Sequence, residues 1–340
     1  MTSQRFHTIY AENFFRRNAA IFAPHLHHVG LNEAILSSPE LEIPLHKYVA
    51  LWELLGQQES QSIGLELGIQ ARSSDYGLYG HAARSAPTMA LALKVLSQFI
   101  SVLMQGTRVN LDVSDESVSI SYQISDPLIL NRRQDAEFTA ASGLSMIREF
   151  TQVASLSPIR ADFEHAAPED LSAYQRILGC HARFNQPDNR LYYSPDLLDM
   201  PVKTADSRLF QLLSPLLEEQ RAAREADTDL LSQLRFQIAN HLSTHDFSIE
   251  RIADSMNMGV RTLQRRLADY QLDYSQLVED VRRPLAENYV AQSDQSFTDI
   301  ALSLGYSEAS AFSRAFRRWT GRSPREFRQT EKGRSALENS

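Results

Sequence analysis

Residues 248–270 read SIERIADSMNMGVRTLQRRLADY, and residues 296–319 read SFTDIALSLGYSEASAFSRAFRRW. The second stretch repeats the first. Ser248, Ile252, Ala253, Met256 and Met258 match Ser296, Ile300, Ala301, Leu304 and Tyr306 at a constant offset of 48. Leu263, Arg265 and Leu267 match Phe312, Arg314 and Phe316 at 49, so the second copy holds one extra residue in its turn. Self-similarity at a fixed period marks a repeated structural unit. Each copy reads as helix, tight turn, helix. Ser296 with Asp299 is placed as a capping box, and Ser307 as the cap of the next helix. Gly259 and Gly305 fall in the turns, where left-handed backbone is expected and glycine carries least strain.

The second helix of each pair is two-faced. Leu263, Leu267 and Tyr270 share one side, and Arg261, Gln264, Arg265 and Ala268 the other. In the second copy Phe312, Ala315, Phe316 and Trp319 oppose Ser310, Ser313, Arg314 and Arg317. Arg, Gln and Ser suit base edges and phosphates, and no carboxylate stands on either outer face to repel a phosphate. One such helix is ordinarily a solvated surface; two matched copies point to DNA recognition. Residues 274–292 between the copies read as a helix, with Val278, Val281, Leu285 and Tyr289 on one side and Pro284 kinking it or marking a later start. Such a connector sets recognition helices in successive major grooves, ~34 Å apart.

At this point the chain resembles the AraC/XylS family of bacterial transcription regulators. The carrying stretch is DIALSLGYSEASAFSRAFRRWTGRSPREFR (299–328), with RIADSMNMGVRTLQRRL (251–267) as the first copy. The resemblance places base-reading residues at Arg261, Gln264 and Arg265, and at Ala309, Ser310, Ser313 and Arg314. Arg266, Arg317 and Arg318 are expected on phosphates. Ala309 and Ser310 are small for their positions, so the second unit is expected to read fewer bases. Pro284 departs from the family pattern. The stretches 76–96, 136–142 and 163–201 resemble the sensor domain of the ornithine-utilisation-type branch, which implies a sensing and oligomerisation module with a small-molecule effector.

The N-terminal region itself mixes helical and alternating patterns. Helices are expected near 8–22, 45–57, 88–105, 135–153, 168–178 and 207–224. Val109, Leu111 and Val113 alternate, as do Val118, Ile120 and Tyr122, with a hairpin turn at 114–117. Further strands are expected at 158–165 and 189–193. Without regular βαβ alternation this is α+β. The fold expected is therefore an α+β sensor domain (1–224), then an all-α domain (229–330) of two helix-turn-helix units joined by a connecting helix, then a flexible tail (331–340). The polar run at 218–229 is the boundary. Leu209, Leu212, Leu213, Leu216 and Leu217 form a stripe read as core against the sensor domain rather than a dimer seam; Pro215 opposes a long coiled coil.

Charge supports the division. The 340 residues carry net charge −8, but eight basic and three acidic residues make the last thirty +5, leaving −13 elsewhere. DNA responds to the charge of one face rather than the sum. Other chemistry is weak. Tyr76, Tyr79, His81 and Phe138 are candidates to line an effector pocket. His25, His27 and His28 lack metal-ligand spacing and read as a polar loop. Cys180, the one cysteine, reads as a structural thiol, and no catalytic motif stands in a usable context. No apolar run approaches the ~20 residues of a membrane span, and a cytoplasmic protein is expected. The expected partners are double-stranded promoter DNA, RNA polymerase, a small-molecule effector and a second copy, with no cofactor and no enzyme activity. The alternatives are a ligand-independent regulator whose N-terminal domain only oligomerises, and an enzyme with an appended DNA-binding unit.

Overall fold

The computed structural model describes residues 7–10, 13–38, 41–126, 129–226, 230–269, 272–293 and 295–330. Contacts divide the chain into two compact units, parted after residue 228.

The first unit is α+β. Its strands are β1 (Thr8–Tyr10), β2 (Glu42–Pro44), β3 (Thr107–Val113), β4 (Val118–Ile124), β5 (Arg160–Asp162), β6 (His181–Arg183) and β7 (Asn189–Tyr193). Its α-helices are α1 (Asn13–Arg17), α2 (Ala19–Phe22), α3 (Leu45–Gln58), α4 (Ile63–Gly68) and α5 (Gly77–Ser85). They continue with α6 (Met89–Gln98), α7 (Ile100–Leu103), α8 (Arg133–Thr151), α9 (Ser172–Leu178) and α10 (Ser207–Ala226). Five strands form one sheet in the order β3-β4-β7-β5-β6, antiparallel except for β5 with β6. The β3–β4 hairpin is in register from Thr107 opposite Ile124 to Val113 opposite Val118, closed by Ser114 and Ser117.

The long helix α8 is the spine of this unit. Helix α4 lies against it without side chains intervening, because Gly64 and Gly68 face its backbone. A Cβ on either would come within 2.3 Å of the Gln134 carbonyl oxygen or 2.5 Å of the Phe138 carbonyl oxygen. On α3, Trp52 stacks on Phe138 at 4.4 Å between centroids, and Phe14 and Phe22 pack beside them. Burying such rings supplies much of a core's stabilisation.

Several sequence expectations are corrected here. The helix expected at 8–22 begins as strand β1, which pairs with β2 through Ile9 and Ile43. That partner lies 34 residues away, so no local pattern announces it. The helix expected at 88–105 breaks at Phe99 into α6 and α7. His25, His27 and His28 lie on a 3-10 helix (Ala23–Val29), not a polar loop, and His25 is buried with Nε2 2.8 Å from Glu59. The leucine stripe of α10 splits: Leu217 is buried and Leu213 packs on the core, while Leu209, Leu212 and Leu216 are exposed. The polar run at 218–229 is helical as far as Ala226. Its Arg224 is 7% exposed, with Nε donating to the Val102 carbonyl at 3.0 Å and the guanidinium on Glu42 and over the Tyr10 ring. Glu, Gln, Arg and Ala are strong helix formers, so polarity alone marks no helix end there.

The second unit is all helical: α11 (Leu230–His241), α12 (Ile249–Ser255), α13 (Val260–Asp269), α14 (Tyr274–Gln292), α15 (Phe297–Ser303) and α16 (Ala309–Thr320). Helix α14 runs unbroken through Pro284 and buries Leu277, Val278, Val281, Leu285, Ala286 and Val290. The residues of the tail expected at 331–340, and Tyr270, lie outside the described residues. Among those described, no helix is long and apolar enough to cross a membrane.

Candidate nucleic-acid interface and ligand cavity

The two copies agree down to single hydrogen bonds. Ser248 caps α12 by accepting from Arg251 N at 3.2 Å, and Ser296 caps α15 by accepting from Asp299 N at 3.1 Å. At the other ends, Met258 N donates to the Ala253 carbonyl and Tyr306 N to the Ala301 carbonyl, both at 2.9 Å. The residue before each donor is left-handed: Asn257 at φ +51° and Gly305 at φ +73°. This corrects the expectation for Gly259, which instead opens α13 and accepts from Thr262 N and Leu263 N through its carbonyl. Ser307 likewise is not a cap; Glu308 holds that place, and its carboxylate accepts from Ser310 Oγ at 3.0 Å. The second recognition face therefore has a carboxylate at its N-terminal edge.

Leu263, Leu267, Phe312, Ala315 and Phe316 are buried, and this orients the opposite faces outward. Arg261, Gln264, Arg265, Arg266, Ser310, Arg314, Arg317 and Arg318 are exposed, while Ala309 and Ser313 are half-buried. The Ser313 hydroxyl donates to the Ala309 carbonyl at 2.8 Å, which leaves it only acceptor capacity outward. Helices α13 and α16 together carry six Arg and one Asp; the rest of 230–330 carries seven Arg against eleven Asp and Glu. Positive charge is thus gathered on the two recognition helices. Arg318 is already engaged there, paired with Glu279 of α14, which also accepts from Trp319 Nε1 at 3.3 Å.

Arg282 of α14 joins the two copies. Its guanidinium donates to the Leu304 and Gly305 carbonyls at 2.8 and 2.9 Å and stacks on Tyr306 and on Phe247, which precedes α12. Orphan carbonyls at the end of α15 are thereby satisfied from the connecting helix. No sequence pattern singled out Arg282; an arginine beside two buried aliphatics on a connecting helix was the available sign.

The first unit holds a cavity of about 110 Å³, open in part, between α8, the β3–β4–β7 sheet and the segment α5–α7. Tyr76, Tyr79 and Phe138 line it; His81 does not. Tyr79 and His81 are two positions apart on α5, and so on opposite faces of that helix. Burial pushes the Tyr79 phenol up, which keeps it neutral; its hydroxyl donates to the Leu96 carbonyl at 2.8 Å. Tyr76 and Ser142 share a hydrogen bond at 2.6 Å, and Tyr122 donates to Asp135 at 2.8 Å. Burial raises the Asp135 carboxyl to about 7. Cys180 is buried, and burial pushes its thiol up to about 11, so it stands as an unreactive thiol.

An α+β unit with an internal cavity followed by a duplicated helix-turn-helix defines a DNA-binding class of protein, and comparison with known proteins specifies which kind. Residues 22–202 match the arabinose-binding domain of AraC transcription regulators, N-terminal, and residues 252–330 match a helix-turn-helix domain. The ornithine utilization regulator of Pseudomonas aeruginosa is 28% identical over 273 residues, covering 79% of this chain and 78% of that protein. The HTH-type transcriptional regulator VirS of Mycobacterium tuberculosis is 32% identical over 266 residues, 76% of each chain. The HTH-type transcriptional activator RhaS of Citrobacter koseri is 34% identical over 145 residues, 42% of this chain and 51% of that protein. The chain belongs to the AraC family and is a DNA-binding transcription regulator.

Proposed function

We propose that this regulator is an effector-responsive activator, read out through two recognition helices. The observation that carries it is the duplicated unit, its matched hydrogen bonds and its outward Arg, Gln and Ser faces. Arg261, Gln264 and Arg265 read bases from α13; Arg314, with Ser310, Ser313 and Ala309, does so from α16. Arg266 and Arg317 take phosphates. Arg318 contributes less than its charge suggests, because Glu279 competes for it. The base contacts confer specificity and the phosphate contacts fix register.

The N-terminal unit is the sensor, and its cavity the effector site. Effector binding biases a two-state equilibrium that alters DNA affinity or contact with RNA polymerase. The exposed leucines Leu209, Leu212 and Leu216 supply an apolar ridge for a homodimer. Activation accords with the activator among the relatives, and the protein acts where the DNA is, in the cytoplasm, as a regulator and not an enzyme. Ornithine belongs to the name of a relative at 28% identity and is not carried over.

Genome-wide footprinting names the operator, and binding to that operator at 50 and 200 mM salt tests the reading. The expected fall is steep, on the order of 10³-fold for six phosphate contacts. A flat salt dependence overturns it.

A further inference from the structure

We infer that the sensor cavity takes an uncharged, predominantly apolar small molecule, and that Gly143 keeps the space for it. This deepens the reading of the N-terminal unit as a ligand sensor and rests on it. The lining is aromatic and aliphatic, contributed by residues such as Phe14, Leu103, Met104, Ile120 and Phe138. Among the described residues, no Asp, Glu, Lys or His lines it. The one charged residue of the lining among those described is Arg190, and that guanidinium is spent: it donates to Asp188 and Asp112 at 2.7 Å each and to Ser119 at 3.1 Å. A ligand carboxylate or ammonium would therefore lose its hydration and find no counter-charge, which opposes binding strongly. A sugar would fare little better. The Tyr76, Ser142, Tyr79 and Tyr122 hydroxyls and the Asn189 amide already bond within the protein, while the buried Tyr193 hydroxyl lacks a partner among the described residues. Most polar groups of the lining are thus already engaged, against the several open ones that a polyol needs.

Gly143 supplies the second observation. It stands inside the 19-residue helix α8, where glycine is a poor helix former. The other helical glycines of this region are explained by crowding; Gly64 and Gly68 face backbone. A Cβ on Gly143 would meet nothing within 4 Å, and Gly143 lines the cavity. Crowding does not require the missing side chain there. Its effect is to leave room.

Thermal melting of the full chain tests this with four probes: 1-hexanol and p-cresol as uncharged apolar molecules, L-ornithine and L-arabinose as polar ones. Gly143→Ala and Gly143→Leu are melted beside the wild type. The expected result is a rise in Tm of several degrees with a saturating apolar probe, reduced in Gly143→Ala and absent in Gly143→Leu, with no rise from the polar pair. Gly143→Ala folds by the space its methyl enters, so a failure of Gly143→Leu to fold leaves the test standing. A Gly143-dependent rise with ornithine or arabinose overturns the ligand class but keeps the sensor. An apolar rise that is equal in all three proteins places binding elsewhere and overturns the site. No rise with any probe overturns both the class and the sensor reading.

Discussion

Nε of Arg282 donates to the carbonyl oxygen of Leu304 at 2.8 Å, across 22 residues of sequence. This bond, its companion to Gly305 and the stacking on Phe247 and Tyr306 tie the connecting helix to the turn of the second copy and the entry of the first. The arrangement of the two recognition helices is thus set by one side chain as well as by the buried face of α14. Arg282→Ala leaves two carbonyls without donors, and denaturant unfolding should show a loss of about 2–3 kcal/mol. Arg282→Lys should recover little of it, because an ammonium cannot reproduce the planar fork and stack. A loss within experimental error would mean the copies are held by apolar packing alone.

The turns of the two copies should respond to different degrees, because one holds glycine and the other asparagine at the left-handed position. Gly305 is left-handed, and a Cβ there would meet Phe247 at 2.6 Å and the Leu242 carbonyl oxygen at 2.8 Å. Gly305→Ala should cost about 2 kcal/mol or more. Asn257 holds the equivalent place at φ +51°, and Asn257→Gly should stay within about 1 kcal/mol of wild type. Equal effects from the two would deny the equivalence of the turns.

Much of this unit was legible because its information is local. The offset of 48 between Ser248 and Ser296 extends without change through Asn257 and Gly305, so the repeat carried the turn even where Gly259 was the wrong residue to choose. The α11–α16 layout follows from apolar spacing over short distances. The first unit was read less well, because its decisive contacts are long-range. β1 is strand only through Ile43, and α4 is close to α8 only because two glycines meet a backbone 70 residues on. Arg224 sat in a polar run and proved buried, its partners Glu42 and Val102 lying far back in the chain. For the cavity, Tyr76, Tyr79, His81 and Phe138 were named by residue type and three of the four line it, whereas Gly143 carries no signal until its surroundings are known to be empty.

Asp135 makes stability pH-dependent with a definite sign. Its carboxyl is raised from the ordinary value of 3.8 to about 7, chiefly by burial; Glu53 and Glu164 add to the rise, while Tyr122 and Arg132 oppose it. The folded state then holds a proton that the unfolded state has released. Asp135's contribution therefore favours folding below pH 4 and is lost progressively as pH rises from about 4 to 7. Asp135→Asn keeps an oxygen for Tyr122 and should remove this decline, so that the variant gains stability relative to wild type as pH rises from 4 to 8. A gain that does not grow with pH would show that Asp135 is ionised throughout.

Arg317 and Arg318 are neighbours with different expected weights on DNA. Arg317 has no ion-pair partner among the described residues, and Arg318 is held by Glu279. The salt slope of operator binding should fall by about 1 in Arg317→Ala and by clearly less in Arg318→Ala. Glu279→Gln should strengthen DNA binding by freeing Arg318.

The central claim is that α13 and α16 read bases while the arginines beside them hold phosphates. The direct measurement is fluorescence anisotropy of wild type, Arg265→Ala and Arg317→Ala against the operator and its single-base variants. Arg265→Ala should lose about 1–3 kcal/mol of discrimination at one base position, while Arg317→Ala weakens every sequence alike. If both variants weaken all sequences by the same factor, the faces of the recognition helices have been assigned wrongly.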